Sequence, residues 1–123
     1  MTQDDNWLRP GLQSLSTAVA LADPESWEIR FENAAFFQWF PPAETNPDAP
    51  LTQRLKGLDA DKARARFANN RAYSFDTDVK VGARSLSLAV DLRLVEQNDT
   101  KMILVECRNI TKQREAEYML DSY

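Results

Sequence analysis

The chain has 123 residues, of which 43% are hydrophobic and 28% are charged, proportions that are typical of one soluble globular domain. Its net charge of -4 provides no electrostatic reason to bind nucleic acid or an anionic membrane. No apolar run approaches the ~20 residues of a membrane span, and the first residues lack a signal-peptide core. The single cysteine excludes an internal disulfide and favours a cytoplasmic location. Histidine is absent, which excludes imidazole bases, catalytic triads and the most frequent metal and haem ligand.

Residues 1–16 are predicted to form an N-terminal helix that precedes the core. Pro10 suits the first turn of a helix. Leu8, Leu12 and Leu15 recur at spacings of four and three residues, which indicates an amphipathic face. This face is the first candidate for a contact with another protein surface.

The next stretch predicts a β-hairpin. Residues 17–22 form a small apolar strand, and residues 23–26 read as a turn. Trp27, Ile29 and Phe31 then alternate with charged residues, the pattern of a half-buried strand. Strict alternation places all three of these side chains on the buried face.

Three helical segments are predicted after the hairpin. Asn33 can cap the first segment, and Pro41 follows its end. Gly57 suits the end of the second segment, and Asp59 can cap the third. The predicted segments are residues 34–40, 51–56 and 60–70.

Three strands joined by short turns follow, and a charged helix ends the chain. The strands are predicted at residues 73–81, 86–94 and 102–107 from their alternating or β-branched patterns. Thr111 is a plausible N-cap of the last helix, because helix-forming residues come directly after it. Strands in runs with short turns predict the α+β class, an antiparallel sheet with helices on one face.

Three stretches carry a family resemblance: LQSLSTAVALAD at 12–23, FENAAF at 31–36 and RNITKQREAE at 108–117. Together they resemble PAS domains, the small sensory modules of bacterial signalling proteins. LQSLSTAVALAD at 12–23 resembles the entry helix and first strand of that family, and FENAAF at 31–36 resembles its step from the second strand into the first core helix. RNITKQREAE at 108–117 resembles the exit motif, with Asn109 in place of the usual Asp. Capping by the Asn109 side chain is compatible with that replacement.

The resemblance implies a five-stranded antiparallel sheet with the first and last strands in its centre. The helices at 34–40 and 60–70 would cover one face and enclose a ligand pocket. The N-terminal helix and the other face of the sheet would make a homodimer. The implied organisation is an N-terminal helix (1–16), a PAS core (17–110) and the start of a signalling helix (111–123).

A set of apolar side chains either lines a small-molecule pocket or fills the core. Aromatic rings bury ~150–250 Å² each, and a domain of this size needs much of that area for stability. Alternation places part of the set on the cavity side of the sheet. The pocket candidates are Trp27, Ile29, Phe31, Phe36, Phe40, Phe67 and Phe75.

No cofactor is predicted. PAS domains that sense light through flavin use a cysteine in a helix motif that this chain lacks, and Cys107 lies instead on the last predicted strand. The interpretation we favour for Cys107 is a small buried hydrophobe. Haem-binding members use histidine, which is absent.

The charged residues are interpreted as solvated. A set of carboxylates could carry out acid–base chemistry, but two of its members alternate on the polar side of a strand. A basic helix face could bind an anionic ligand, though a solvated face explains it as well. The carboxylates are Asp76, Asp78, Asp91 and Glu106, and the basic residues are Lys62, Arg64, Arg66 and Arg71.

The exit segment is predicted to couple the core to whatever follows it. Gln113, Ala116, Leu120 and Tyr123 have the spacing of a coiled-coil seam, and the same spacing fits a helix folded back on its own domain. We predict that Leu120 and Tyr123 continue the protomer contact of the N-terminal leucines. The predicted signalling residues at the junction are Asn109, Ile110 and Thr111.

The sequence therefore predicts a non-enzymatic, dimeric PAS regulatory domain linked to a C-terminal output domain. The exit at 115–123 resembles that of a nucleotide cyclase, with a histidine kinase or a diguanylate cyclase as the next alternatives. A different class is a small acid–base enzyme with a cone-shaped α+β fold. A third interpretation is a dimerisation module without a ligand.

Overall fold

The computed structural model describes residues 17–121. The predicted N-terminal helix with Leu8, Leu12 and Leu15 lies outside the described residues, as does Tyr123. In chain order the described elements are β1 (Thr17–Ala22), β2 (Ile29–Glu32), α1 (Ala34–Trp39), α2 (Leu51–Arg54), α3 (Ala60–Ala68), β3 (Tyr73–Val81), β4 (Arg84–Gln97), β5 (Thr100–Asn109) and α4 (Thr111–Asp121).

The strands form one five-stranded antiparallel sheet in the order β2-β1-β5-β4-β3. The first and last strands are therefore neighbours in the middle of the sheet, as predicted. The β4–β5 hairpin is the longest pairing, and it reverses through Asn98 and Asp99 with φ angles of 53° and 63°. Positive φ at both central residues is the turn geometry that fits the twist of a hairpin.

One face of the sheet carries the core. Ala18, Ala20 and Ala22 on β1 pair with Cys107, Val105 and Ile103 on β5, and all six are 0% exposed. Directly paired residues point to the same side of a sheet, so these six share the face that the helices cover. Alanines on β1 leave room for α1 to pack closely.

A β-bulge in the first hairpin corrects the prediction for Phe31. Leu21 pairs with Phe31, but the next residue, Ala22, pairs with Ile29, so β2 holds one residue more than β1 at this point. Ile29 therefore faces α1 to α3, while Phe31 shares the opposite face of the sheet with Leu21. Side chains do not alternate strictly between the two faces along β2, because the extra residue at the bulge shifts the alternation by one position.

Local capping explains where α1 begins and how it is held to the sheet. The Asn33 side-chain oxygen accepts from the backbone N–H of Phe36 at 2.9 Å and from that of Val19 at 3.0 Å. The Asn33 amide nitrogen donates to the Thr17 carbonyl at 3.1 Å. One buried side chain thus caps the helix and fastens it to β1.

The remaining helix ends follow the predictions with small shifts. Asp59 caps α3 by accepting from the backbone N–H of Lys62 at 3.1 Å. Gly57 has a φ of 90°, and a Cβ there would lie 3.1 Å from the Phe75 ring, so glycine is required for conformation and for space. The prediction that Thr111 is an N-cap is wrong by one position, because α4 begins at Thr111 and its first backbone bond runs from the Arg114 N–H to the Ile110 carbonyl.

Candidate functional site

The helix-covered face brings most of the predicted pocket side chains together. Phe36 and Phe40 are buried at 0% and 3% exposure, with ring centroids 5.2 Å apart. Trp27 belongs to the same buried cluster, and Ile29, Phe67 and Phe75 pack against it while remaining half-buried. Phe31 is the predicted pocket residue that is not in this group, because the β-bulge turns it to the opposite face of the sheet.

Trp27 reaches the core from an unusual backbone position. It lies before β2, in the left-handed region with a φ of 65°, which is rare for a bulky residue. Its carbonyl accepts from the Leu51 N–H at 2.8 Å, so the segment before β2 is joined to the start of α2. The Arg64 guanidinium lies 5.3 Å from the Trp27 ring centroid and covers the indole from the α3 side.

The polar centre of this layer is Arg54. Its side chain is only 4% exposed, and it donates from both terminal nitrogens to the Glu32 carboxylate at 2.8 and 2.6 Å. Its Nε donates to the Phe40 carbonyl at 2.9 Å, and its guanidinium lies 5.4 Å from the Phe36 ring centroid. A bidentate carboxylate, a carbonyl and an aromatic face together compensate a buried positive charge.

Neither partner of this ion pair is predicted from the sequence patterns. Alternation after Phe31 predicts Glu32 on the polar side, but Glu32 pairs with Ala20 and so faces the helices. For Arg54 a usable signal existed, because it lies three residues after the buried Leu51 and therefore on the same helix face. The ion pair joins the edge strand β2 to α2 and to the end of α1.

The predicted chemistry of the charged residues does not assemble in the core. Asp76, Asp78, Asp91 and Glu106 lie at strand positions that point to the face of the sheet opposite α1 to α3. Asp91 accepts from the Ser74 hydroxyl and from Arg93, which also lies 3.8 Å from Glu106. These carboxylates form surface contacts with neighbouring side chains.

Cys107 lies on the helix-covered face of β5 and is 0% exposed. Burial, with a smaller effect of the Glu106 charge, raises the pKa of its thiol to about 12. The thiol is therefore neutral at physiological pH and packs as a small apolar group. Among residues 17–121, no three potential metal ligands come together, and no helix is long and apolar enough to cross a membrane.

A second candidate site is the junction between β5 and α4. The Ile110 N–H donates to the Ser87 carbonyl at 2.8 Å, and the Thr111 hydroxyl accepts from the Ser87 N–H at 2.9 Å. The Asn109 side-chain oxygen accepts from the Thr111 N–H at 2.9 Å and from its hydroxyl at 2.6 Å. Ile110 and Thr111 therefore both bond to the backbone of Ser87, and Asn109 is joined to this junction through Thr111.

One further contact joins the exit helix to the sheet. Arg114, one turn into α4, forms an ion pair with Asp76 on the edge strand β3. The first turn of α4 is thus bonded to β4 at Ser87 and to β3 at Asp76. Leu120 lies within α4, but its side chain is outside what the structure describes.

The sheet order, the helices on one face and the exit helix leaving the central strand define the PAS fold. Solved structures with the same fold share little sequence with this chain, so they establish the fold alone. The PAS domain of nitrogen regulation protein NR(II) from Vibrio parahaemolyticus has a TM-score of 0.60 and 22% identity, over 89% of this chain and 100% of that one.

Two other similar structures come from different kinds of sensor. A PAS domain from a two-component sensor histidine kinase has a TM-score of 0.56 and 15% identity, over 86% of this chain and 96% of that one. A light-oxygen-voltage domain studied with a flavin analogue has a TM-score of 0.60 and 10% identity, over 94% and 93% of the two chains. No family profile and no curated protein matches the sequence.

Proposed function

We propose that this chain is a non-enzymatic sensory or regulatory domain that transmits the state of its core through α4. The observation that carries the proposal is the junction at Ser87, where the backbone of β4 is bonded to both Ile110 and Thr111. A shift of β4 would therefore displace the first turn of α4. Elements with two discrete arrangements and a rigid connection are the physical means of such coupling.

The core and the junction share strands, which supports the proposed direction of transmission. Leu88 and Val90 on β4 lie in the buried cluster, directly after Ser87 in sequence. β5 contributes Cys107 to the same cluster and ends two residues later at Asn109. A ligand or a repacking event in the core would thus act on the two strands that hold α4.

We propose a homodimer that places two exit helices near a two-fold axis. On the face of the sheet opposite α1 to α3, a ladder of paired positions runs from Phe31 through Leu21 to Leu104, and all three side chains are half-buried. This apolar ladder, with the leucines of the N-terminal segment, is our candidate for the protomer contact.

The output domain is proposed to follow α4 and to work as a dimer. The resemblance of residues 115–123 favours a nucleotide cyclase. The two-component sensor kinase whose PAS domain has the same fold supports a histidine kinase as the alternative, and a diguanylate cyclase is a third. We propose a cytoplasmic location, which the single cysteine favours.

We propose that the domain binds neither haem nor flavin. The sequence lacks histidine and the flavin-binding cysteine motif, although one structure with the same fold is a light-oxygen-voltage domain. Freshly purified protein should therefore show no visible absorption band. A band whose chromophore is released on denaturation would contradict this proposal.

The competing acid–base enzyme would need a carboxylate or another titratable group facing the core. The carboxylate that faces the helices on β2 is Glu32, which is held by Arg54 in a bidentate ion pair. This arrangement favours a structural role for Glu32 over a general base.

The coupling can be tested in a chimera. The chain would replace the PAS domain of a sensor histidine kinase, joined in helical register after α4, and autophosphorylation would be measured. We expect Asp76→Asn, which removes the half-exposed ion pair with Arg114, to change the rate by up to about fivefold, since such a pair contributes about 1 kcal/mol or less. Asp78→Asn, on the same strand and face, is the matched control and should leave the rate unchanged. Equal rates for the two variants would refute transmission through this contact.

A further inference from the structure

The long β4–β5 hairpin extends beyond the layers that flank it. β3 begins at Tyr73, which pairs with Leu92, whereas β4 continues to Gln97 in pairing with β5. The last residues of β4 therefore have β5 on one side and no strand on the other among the described residues. Leu94, which faces the helix side here, is 36% exposed.

A cleft of about 480 Å³ lies beside the end of β4 that extends past β3. One wall is β4 from Arg93 to Glu96, with Lys101 from β5, and the other is the segment from Asn70 to Ala72. The half-buried ring of Phe67 and the exposed side of Leu94 provide an apolar surface. The volume lies within the ~300–1,000 Å³ that small-molecule sites occupy.

Arg71 is held at the wall of this cleft by the end of α3. Asn70 has a φ of 58°, and its N–H donates to the Phe67 carbonyl at 3.0 Å, while the Arg71 N–H donates to the Arg66 carbonyl at 2.9 Å. These two bonds form a Schellman motif, which fixes the backbone of Arg71. A fixed backbone reduces the entropy lost when its side chain binds a ligand.

The charged groups around the cleft favour a ligand that carries one negative charge. Among the described residues neither Arg71 nor Lys101 forms an ion pair, although Lys101 pairs with Glu96 in the strand register. Arg93 is already engaged by Asp91. Two negative groups oppose these two cations. They are the Glu96 carboxylate and the C-terminal end of α3, whose free carbonyls are equivalent to roughly half a negative charge. The remaining balance is positive in a chain whose net charge is -4.

We infer that this cleft is a second binding site, separate from the helix-covered core, for a small organic monocarboxylate with an aromatic or branched apolar body. The carboxylate binds Arg71 and Lys101, and the apolar body lies against Phe67 and Leu94. The site does not include the α4 junction, so its occupancy can be measured without any signalling assay and independently of the proposed function.

The test is an NMR titration of the 123-residue chain with phenylacetate and with 4-methylpentanoate. We expect saturable amide shifts centred on Asn70, Arg71 and Leu94. Arg71→Gln and Lys101→Gln should each weaken binding about tenfold, because each removes a charge-assisted hydrogen bond. Lys80→Gln, an exposed lysine on β3 that does not line the cleft, is the matched control and should bind as the unchanged chain does.

Two comparison compounds separate the chemical class from general charge attraction. Neutral phenylacetamide should bind about tenfold more weakly than phenylacetate, and inorganic phosphate should bind more weakly as well. The inference is overturned if neither carboxylate gives saturable shifts, or if these shifts map elsewhere. It is equally overturned if the cleft variants match the Lys80 control, or if phenylacetamide or phosphate binds as tightly as phenylacetate.

Discussion

Arg54 and Glu32 differ in how far each charged side chain could be hydrated if its partner were removed. The Arg54 side chain is 4% exposed, whereas that of Glu32 is 24% exposed and can reach water. Loss of the carboxylate would leave a positive charge enclosed by Phe36 and the end of α1. Loss of the guanidinium would leave a carboxylate that hydrates in part.

This asymmetry leads to a prediction about stability. Glu32→Leu should lower the free energy of unfolding by about 3–5 kcal/mol, and Arg54→Leu by less. Only Glu32→Leu leaves a buried charge, that of Arg54, without its partner. Denaturant titration of both variants would measure the difference. Arg30→Leu, which removes an exposed arginine paired with Glu28 and Asp23, is the control and should cost about 1 kcal/mol or less. A larger loss for Arg54→Leu than for Glu32→Leu would contradict the argument.

Cys107 provides a second prediction at this scale. Because burial raises the pKa of its thiol from 9.0 to about 12, the folded state favours the neutral form. The resulting stabilisation is complete below pH 9.0 and is lost as the pH rises towards about 12. Near neutral pH a thiol reagent should leave the native protein unmodified and should react once denaturant unfolds it.

The alkaline part of this prediction has its own control. The difference in stability between the unchanged chain and Cys107→Ala should shrink as the pH rises above 9.0, because only the former has a thiol to ionise. Rapid modification of the native thiol, or a difference that does not depend on pH, would show that Cys107 is accessible.

At the scale of elements, α4 depends on its first turn for its connection to the sheet. The Thr111 hydroxyl accepts from the Ser87 N–H and donates to the Asn109 side chain. These bonds have no equivalent further along the described part of the helix, apart from the ion pair of Arg114 with Asp76.

Thr111→Val should therefore loosen the exit helix without unfolding the core. We expect a stability loss of about 1–3 kcal/mol, since the half-buried Ser87 N–H loses its acceptor. Hydrogen exchange should become faster at Ser87 and in the first turn of α4, while β1 and the centre of β5 keep their protection. Thr52→Val, an exposed threonine in α2, controls for the substitution and should change neither region. Unchanged exchange at Ser87 in Thr111→Val would refute the role of this hydroxyl.

Most elements could be predicted from local signals, and the exceptions have identifiable causes. Alternation and caps are properties of a few consecutive residues, so the strands, Asn33 and Asp59 were recoverable from the sequence. The bulge at Ala22 depends on pairing between two strands, and it reversed the faces expected for Phe31 and Glu32. The cleft beside Leu94 arises from unequal strand lengths, which no single strand pattern reveals.

At the scale of the whole molecule, the sheet has one covered face and one face with an apolar ladder. Leu104 is the member of that ladder on β5, the middle strand of the sheet, and it lies between Leu21 and Arg93. If the proposed dimer uses this face, a charge at its centre would be desolvated at the contact and would oppose association.

Leu104→Glu should then convert the dimer to a monomer while the far-ultraviolet circular dichroism stays unchanged. Sedimentation would measure the change, and Thr100→Glu, an exposed position on the same strand, is the control. The double variant Leu8→Glu/Leu12→Glu tests the N-terminal contribution in the same way. If both variants sediment as dimers, the protomer contact lies on another surface.

The bulge in β2 also determines where this strand tolerates a change in length. In a regular strand, Ile29 and Phe31 would share a face, and the extra residue between them, Arg30, is what separates them. A relative that lacks a residue here would keep Ile29 towards the helices, Phe31 away from them and Glu32 beside Arg54. An alignment that forbids gaps inside strands would instead match the core position of one sequence to the surface position of the other.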